Sequence, residues 1–66
     1  MKFCERLKEL RLDNKLSTTT LGNILGVHHS TVSRWENGEV QPTILHLYNI
    51  AKYFKVSSDY LLGLED

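Results

Sequence analysis

The chain is predicted to fold as an all-α, compact five-helix protein, and three observations carry that prediction. Apolar residues recur every three or four positions in each stretch long enough to show a period. No stretch keeps up the two-residue alternation of a strand. Helix-starting and helix-stopping residues punctuate the chain at short intervals: Ser17, Thr43 and Ser57 as starts, Gly26 and Asn37-Gly38 as stops. At 66 residues the chain makes a single domain, 1–66, with a modest core for which short packed helices are an economical solution.

The first helix is expected from about Lys2 to Asn14, with Phe3, Leu7 and Leu10 on one face and charges on the others. Ser17 then caps a second helix, its hydroxyl accepting from a free amide of the first turn. This helix is expected to bury Leu21, Ile24 and Leu25. It is intrinsically weak: Thr18, Thr19 and Thr20 are β-branched, and Gly22 costs helix stability unless a neighbour needs close approach there. Gly26 ends it in the left-handed conformation. The third helix covers roughly His29 to Glu36, with His28 as its cap and Val27 and Val32 placed as a hydrophobic staple. Asn37-Gly38 stops it and Pro42 lies beyond. Thr43 caps a fourth helix, on which Ile44, Leu47, Tyr48, Ala51 and Phe54 form a broad apolar stripe. Ser57 caps a short fifth, carrying Tyr60 and Leu61 inward and leading to Leu64.

Composition narrows the classes of function. Hydrophobic residues make up 41% of the chain, too many for a disordered segment. No apolar run approaches the ~20 residues of a membrane span, and the charged start MKFCERLKEL does not resemble a secretory signal. The single Cys4 forms no internal disulfide, which fits a reducing cytoplasm. Net charge is zero, which taken alone argues against a nucleic-acid partner. Its distribution is uneven. Residues 1–15 hold five basic and three acidic groups, 16–35 hold only Arg34, and 36–66 hold two basic and five acidic groups.

The chemistry-bearing stretch is VHHSTVSRWENGE, Val27 to Glu39. Successive helical residues turn by about 100°. Val32 and Trp35 therefore face one way, while His29, Ser30, Ser33, Arg34 and Asn37 face the other. That outward face holds no acid and no aliphatic residue, and each member can hydrogen bond. An ordinary solvent face would mix Glu and Lys. Short polar side chains and one permanent cation suit docking into a polyanionic groove, and arginine pairs with O6 and N7 of guanine. LGNILGVHHSTV reads as helix, glycine turn, helix, the arrangement that inserts its second helix into the DNA major groove.

The stretch LSTTTLGNILGVHHSTVSRWENG resembles the helix-turn-helix of the Cro and phage-repressor family of DNA-binding domains, also called lambda-repressor-like, with the motif at about 17–36. The likeness extends from ERLKELR through WENG to IAKYFKVSSDYLLG. It implies a domain that binds double-stranded operator DNA as a homodimer and represses transcription, with no cofactor, no catalysis, no small-molecule substrate and no membrane. Carried over by position, it implies phosphate contact or support of the reading helix by Thr18 beside Ser17. It implies base reading by His29, Ser30 and Arg34, with Ser33 beside them. It also implies phosphate held by the backbone amides of Asn37 and Gly38, and a partly buried ion pair between Arg11 and Glu36. Three departures are visible. Thr20 stands where the family prefers Glu, Gly22 where it prefers Ala, and His28 where Ser commonly caps the third helix.

Other readings compete. Adjacent histidines on a helix diverge, and zinc needs three or four ligands, so a metal site at His28 and His29 would have to recruit His46 and Cys4. His28 is read as a cap or a phosphate contact, and His29 as a DNA contact or an idle surface residue. Arg34 reads DNA or pairs with Glu36 or Glu39. Trp35 is expected to pack. Leu62 and Leu64 are read as a dimer contact, since five short helices leave apolar surface uncovered at the C-terminal end. The main rival function is a protein-interaction, antitoxin-like module reusing the fold. Free imidazole titrates near pH ~6.5, so mild acid is expected to tighten DNA binding through the histidines.

Overall fold

Amphipathic periodicity and hydroxyl caps divide the chain into five helices. The structure, a computed structural model describing residues 1–66, contains α1 (Phe3–Asp13), α2 (Thr18–Leu25), α3 (His29–Glu36), α4 (Ile44–Phe54) and α5 (Ser58–Leu62). There are no strands. Ser17, Thr43 and Ser57 each cap a helix as their sequence positions predict, accepting from the amides of Thr20, His46 and Tyr60. Each bond satisfies one amide that the first helical turn would otherwise leave without a partner. None of the helices is long and apolar enough to cross a membrane.

The core gathers one or two side chains from every helix: Phe3 and Leu7 from α1, Leu21 from α2, Val32 and Trp35 from α3, Ile50 from α4 and Leu61 from α5. Trp35 is its largest member, with the Phe3 ring edge-on at 6.4 Å and His46 of α4 at 5.3 Å. It therefore packs rather than stacks on a partner. Leu10, Leu16, Leu25, Val27, Leu47, Ala51, Phe54 and Val56 close around this centre half-buried.

The apolar periodicity of two helices misplaces their buried faces. Ile24 was expected inside, yet it is 41% exposed at the edge of α2. On α4 the expected stripe is rotated. Ile50, absent from it, is fully buried, while Ile44 and Tyr48 are 87% and 59% exposed. Both helices are apolar over more of their circumference than one neighbour can cover, so packing geometry selects which part goes inside.

One ion pair ties the ends of α1 and α3 together. The Arg11 guanidinium donates through Nε to Glu36 Oε2 at 2.7 Å and through Nη2 to Oε1 at 2.9 Å. Its Nη1 donates to the carbonyl of Leu16 at 2.9 Å. The Glu36 hydrogen bond raises the Arg11 pKa further, against a smaller opposing effect of burial. This is the Arg11–Glu36 pair expected from the sequence. At the other end of α1, Arg6 donates to the carbonyls of Tyr60 and Glu65, and its guanidinium lies 4.3 Å above the Tyr60 ring. Arg6 thus clamps α5 and the C-terminal residues onto α1.

Candidate nucleic-acid interface

The exposed face of α3 is held in place by the turn that precedes it. Ser17 Oγ accepts from the Thr20 amide at 3.0 Å and lies 3.0 Å from Thr20 Oγ1. That hydroxyl pair stands where a capping box would use Glu. Gly22 is buried, and a Cβ built there would lie 2.7 Å from the Val27 carbonyl oxygen and 3.3 Å from the His29 nitrogen. The glycine is thus the point where the turn presses onto α2. Gly26 takes φ +74° and reverses the chain. Val27, half-buried, and Val32, buried, sit on either side of the α3 cap.

His28 is that cap. Its backbone is extended, and its Nδ1 accepts from the Ser30 amide at 3.2 Å and meets the Ser30 hydroxyl at 2.8 Å. The His29 ring lies 4.3 Å from the His28 ring, tilted by 34°. No group of three or more His, Cys, Asp and Glu side chains is arranged to hold a metal ion, at this pair or elsewhere. His46, a recruit that a metal site would need, lies against Trp35 instead.

Beyond the cap, His29 and Arg34 are exposed, and Ser30 and Ser33 are half-buried beside them. Val32 and Trp35 behind them anchor the helix in the core. Glu36 faces the opposite way and is bonded to Arg11, the only ion pair in the molecule. Arg34 therefore pairs with neither Glu36 nor Glu39, and its charge faces solvent. Thr18 is half-buried at the start of α2, with Ser17 exposed next to it.

The loop after α3 differs from its expected use. The amides of Asn37 and Gly38 donate to Ser33 and Trp35 carbonyls at 2.9 and 3.2 Å, and that of Glu39 donates to Arg34 at 2.9 Å. These donors finish α3, so neither Asn37 nor Gly38 offers an uncommitted amide to a phosphate. The Asn37 side chain instead donates to the Glu39 carboxylate at 3.3 Å. The sequence shows both residues but not that their amides close back onto α3.

Two apolar patches lie away from α3. Exposed Leu64 and half-buried Leu62 border a hollow with Met1, Lys2 and Gly63. A second groove runs along α4 past Ile44, Leu47, Tyr48, Ala51 and Val56, with Lys52 and Lys55 beside it, where the apolar stripe of the sequence predicts core.

Known proteins share both the sequence and this geometry. Over all 66 residues the chain is 36% identical to the HTH-type transcriptional activator BcrR of Enterococcus faecalis, covering 32% of that protein. It is 33% identical over 63 residues to the HTH-type transcriptional regulator DicA of Escherichia coli K12, covering 47% of it. The chain thus spans about a third to little more than half of the length of the curated relatives it matches. Among solved structures, the P22 c2 repressor in complex with a synthetic operator superposes with a TM-score of 0.86 at 31% identity, over 92% of both chains. The same five helices also occur inside a larger protein: the hydroxypropylphosphonic acid epoxidase of S. wedmorenis matches with a TM-score of 0.81 at 36% identity, over 91% of this chain but only 32% of the epoxidase. The family model described as Helix-turn-helix matches residues 7–61, nearly the whole span from the middle of α1 to the end of α5. With the capped α3, the glycine turn and the Arg11–Glu36 tie in the same chain, this protein belongs to the helix-turn-helix family.

Proposed function

We propose that this chain is the DNA-binding unit of a cytoplasmic transcriptional regulator, a repressor that places α3 in the major groove of double-stranded operator DNA. The observation that carries the reading is the α3 face itself. His29, Ser30, Ser33 and Arg34 lie side by side without a carboxylate among them, on a helix anchored by Val32 and Trp35. Arg34 and the short side chains read base edges. Phosphates are met by Ser17 and Thr18 at the start of α2 and by His28 through its ring edge. The likeness to the P22 c2 repressor, itself in complex with a synthetic operator, supports operator DNA as the partner. Repression follows from occupying the operator, and no catalysis, cofactor or small-molecule substrate enters.

Self-association completes the reading. The longest dimension of the molecule is 28 Å, short enough for two copies to sit side by side on half-sites about 34 Å apart, one DNA turn. Leu62 and Leu64 supply the contact between copies.

Selection from a randomised duplex pool, followed by titration of salt against the selected site, tests the reading. Binding should weaken steeply as salt rises, because each neutralised phosphate releases counterions. Failure to enrich any sequence would refute it. A second reading, a protein-binding antitoxin-like module, is favoured by the exposed Ile44 and Tyr48 on α4. An apolar contact there would be nearly indifferent to salt, so the same titration separates the two.

A further inference from the structure

We propose that His28 sets the hydrogen-bonding polarity of the Ser30 hydroxyl, so that proton uptake by His28 changes which base Ser30 prefers. The inference rests on the reading of Ser30 as a base contact and adds a proton-dependent specificity to it.

The geometry leaves little freedom. Ser30 presents two groups to the same ring nitrogen, its amide at 3.2 Å and its Oγ at 2.8 Å. A backbone amide can only donate, so Nδ1 must carry no proton and must accept. The hydroxyl therefore also donates to Nδ1. Its one hydrogen is turned back toward the cap, and only its lone pairs face outward. In that state Ser30 accepts, which suits the amino groups of adenine N6 or cytosine N4 in the major groove.

Protonation reverses the arrangement. An Nδ1–H cannot accept from the amide, and it donates to Ser30 Oγ. The serine hydrogen is released and points outward as a donor, matching the acceptors of guanine O6 and N7 or thymine O4. One proton is taken up at Nδ1 and no bond other than hydrogen bonds changes. Few other charges bear on the ring. His29 lies against it at 4.3 Å. The packed neighbour α2 carries no ionisable side chain. Further along α3, Arg34 is exposed and Glu36 is bonded to Arg11 of α1, while His46 of α4 lies against Trp35 near the far end of α3.

The test uses the full chain and a pool of randomised duplex DNA at about pH 8 and about pH 5.5, across the range in which histidine side chains change charge. Ser30→Ala identifies the base pair at which preference is lost. At that pair the wild type should move from adenine or cytosine toward guanine or thymine on acidification, changing relative affinity by about 2- to 10-fold. His28→Asn retains a side-chain oxygen cap that does not titrate, and it should show the high-pH preference under both conditions. The proposal is overturned if wild type ranks the four bases identically at both pH values, or if His28→Asn shifts as wild type does. If Ser30→Ala leaves every position unchanged, the base-reading assignment itself fails and the switch falls with it.

Discussion

Removing Arg11 should cost this protein a large share of its stability. The guanidinium makes two bonds to Glu36 and one to the Leu16 carbonyl. The two side chains are only 12% and 6% exposed. Arg11→Ala would leave the more buried member, Glu36, charged and without a partner. Breaking a buried pair from one side costs about 3–5 kcal/mol, and since this pair still touches solvent the lower end, about 3 kcal/mol, applies. At ~0.05–0.15 kcal/mol per residue, 66 residues provide about 3–10 kcal/mol in total. For a domain this small each kcal/mol shifts Tm by about 4–8 °C, so a fall of at least ~12 °C is expected. Circular dichroism melts of wild type, Arg11→Ala and the double variant Arg11→Met/Glu36→Leu make the comparison. The double variant removes both charges and should recover most of the loss, since apolar replacement of a buried pair is often neutral. A wild-type melt for Arg11→Ala would refute the reasoning. So would a double variant as unstable as the single one, because the cost would then not come from an uncompensated charge.

Three further outcomes are expected. Gly22→Ala gains about 1 kcal/mol of helix propensity but drives a Cβ to 2.7 Å from the backbone oxygen of Val27. Overpacking of that kind costs about 1–3 kcal/mol, so chemical denaturation should show a net loss, and a stabilised variant would mean the turn yields easily. Arg34→Ala should weaken DNA binding by about 1–3 kcal/mol and relax specificity at one base pair; an unchanged binding profile across operator variants would remove Arg34 from the reading face. Leu64 is 73% exposed, and a Leu62→Ser/Leu64→Ser variant should sediment as a monomer under conditions where wild type on DNA is dimeric. If both assemble alike, the copies meet elsewhere, with the apolar α4 groove the next surface to mutate.

Much of the molecule is determined locally, and that part is legible in the sequence. Helix existence follows from apolar spacing. Helix ends follow from Ser17, Thr43 and Ser57, whose oxygens reach an amide three residues on, and from Gly26, whose missing Cβ permits a positive φ. The acid-free face of α3 is equally a matter of residue order, because one helix fixes the angles between its own side chains. Lys15 and Lys55, by contrast, adopt left-handed conformations at φ 58° and 59° with no glycine to announce them, since the neighbouring helices dictate where the chain must turn.

Tertiary structure decided whatever depends on a partner from another element. Ile50 is buried while Ile44 and Tyr48 are exposed because α4 is apolar on more sides than its neighbours can cover. Gly22 fits because a carbonyl from the following turn lies 2.7 Å from where a Cβ would stand. The loop amides of Asn37 and Gly38 are committed to α3 because the chain folds back on the helix it has just finished. The two histidines were adjacent letters in the sequence. In three dimensions one is a cap that holds a serine and the other is an exposed ring on the outward face of α3, because a helix boundary falls between them and only His28 has the extended backbone that lets its nitrogen meet the amide of Ser30.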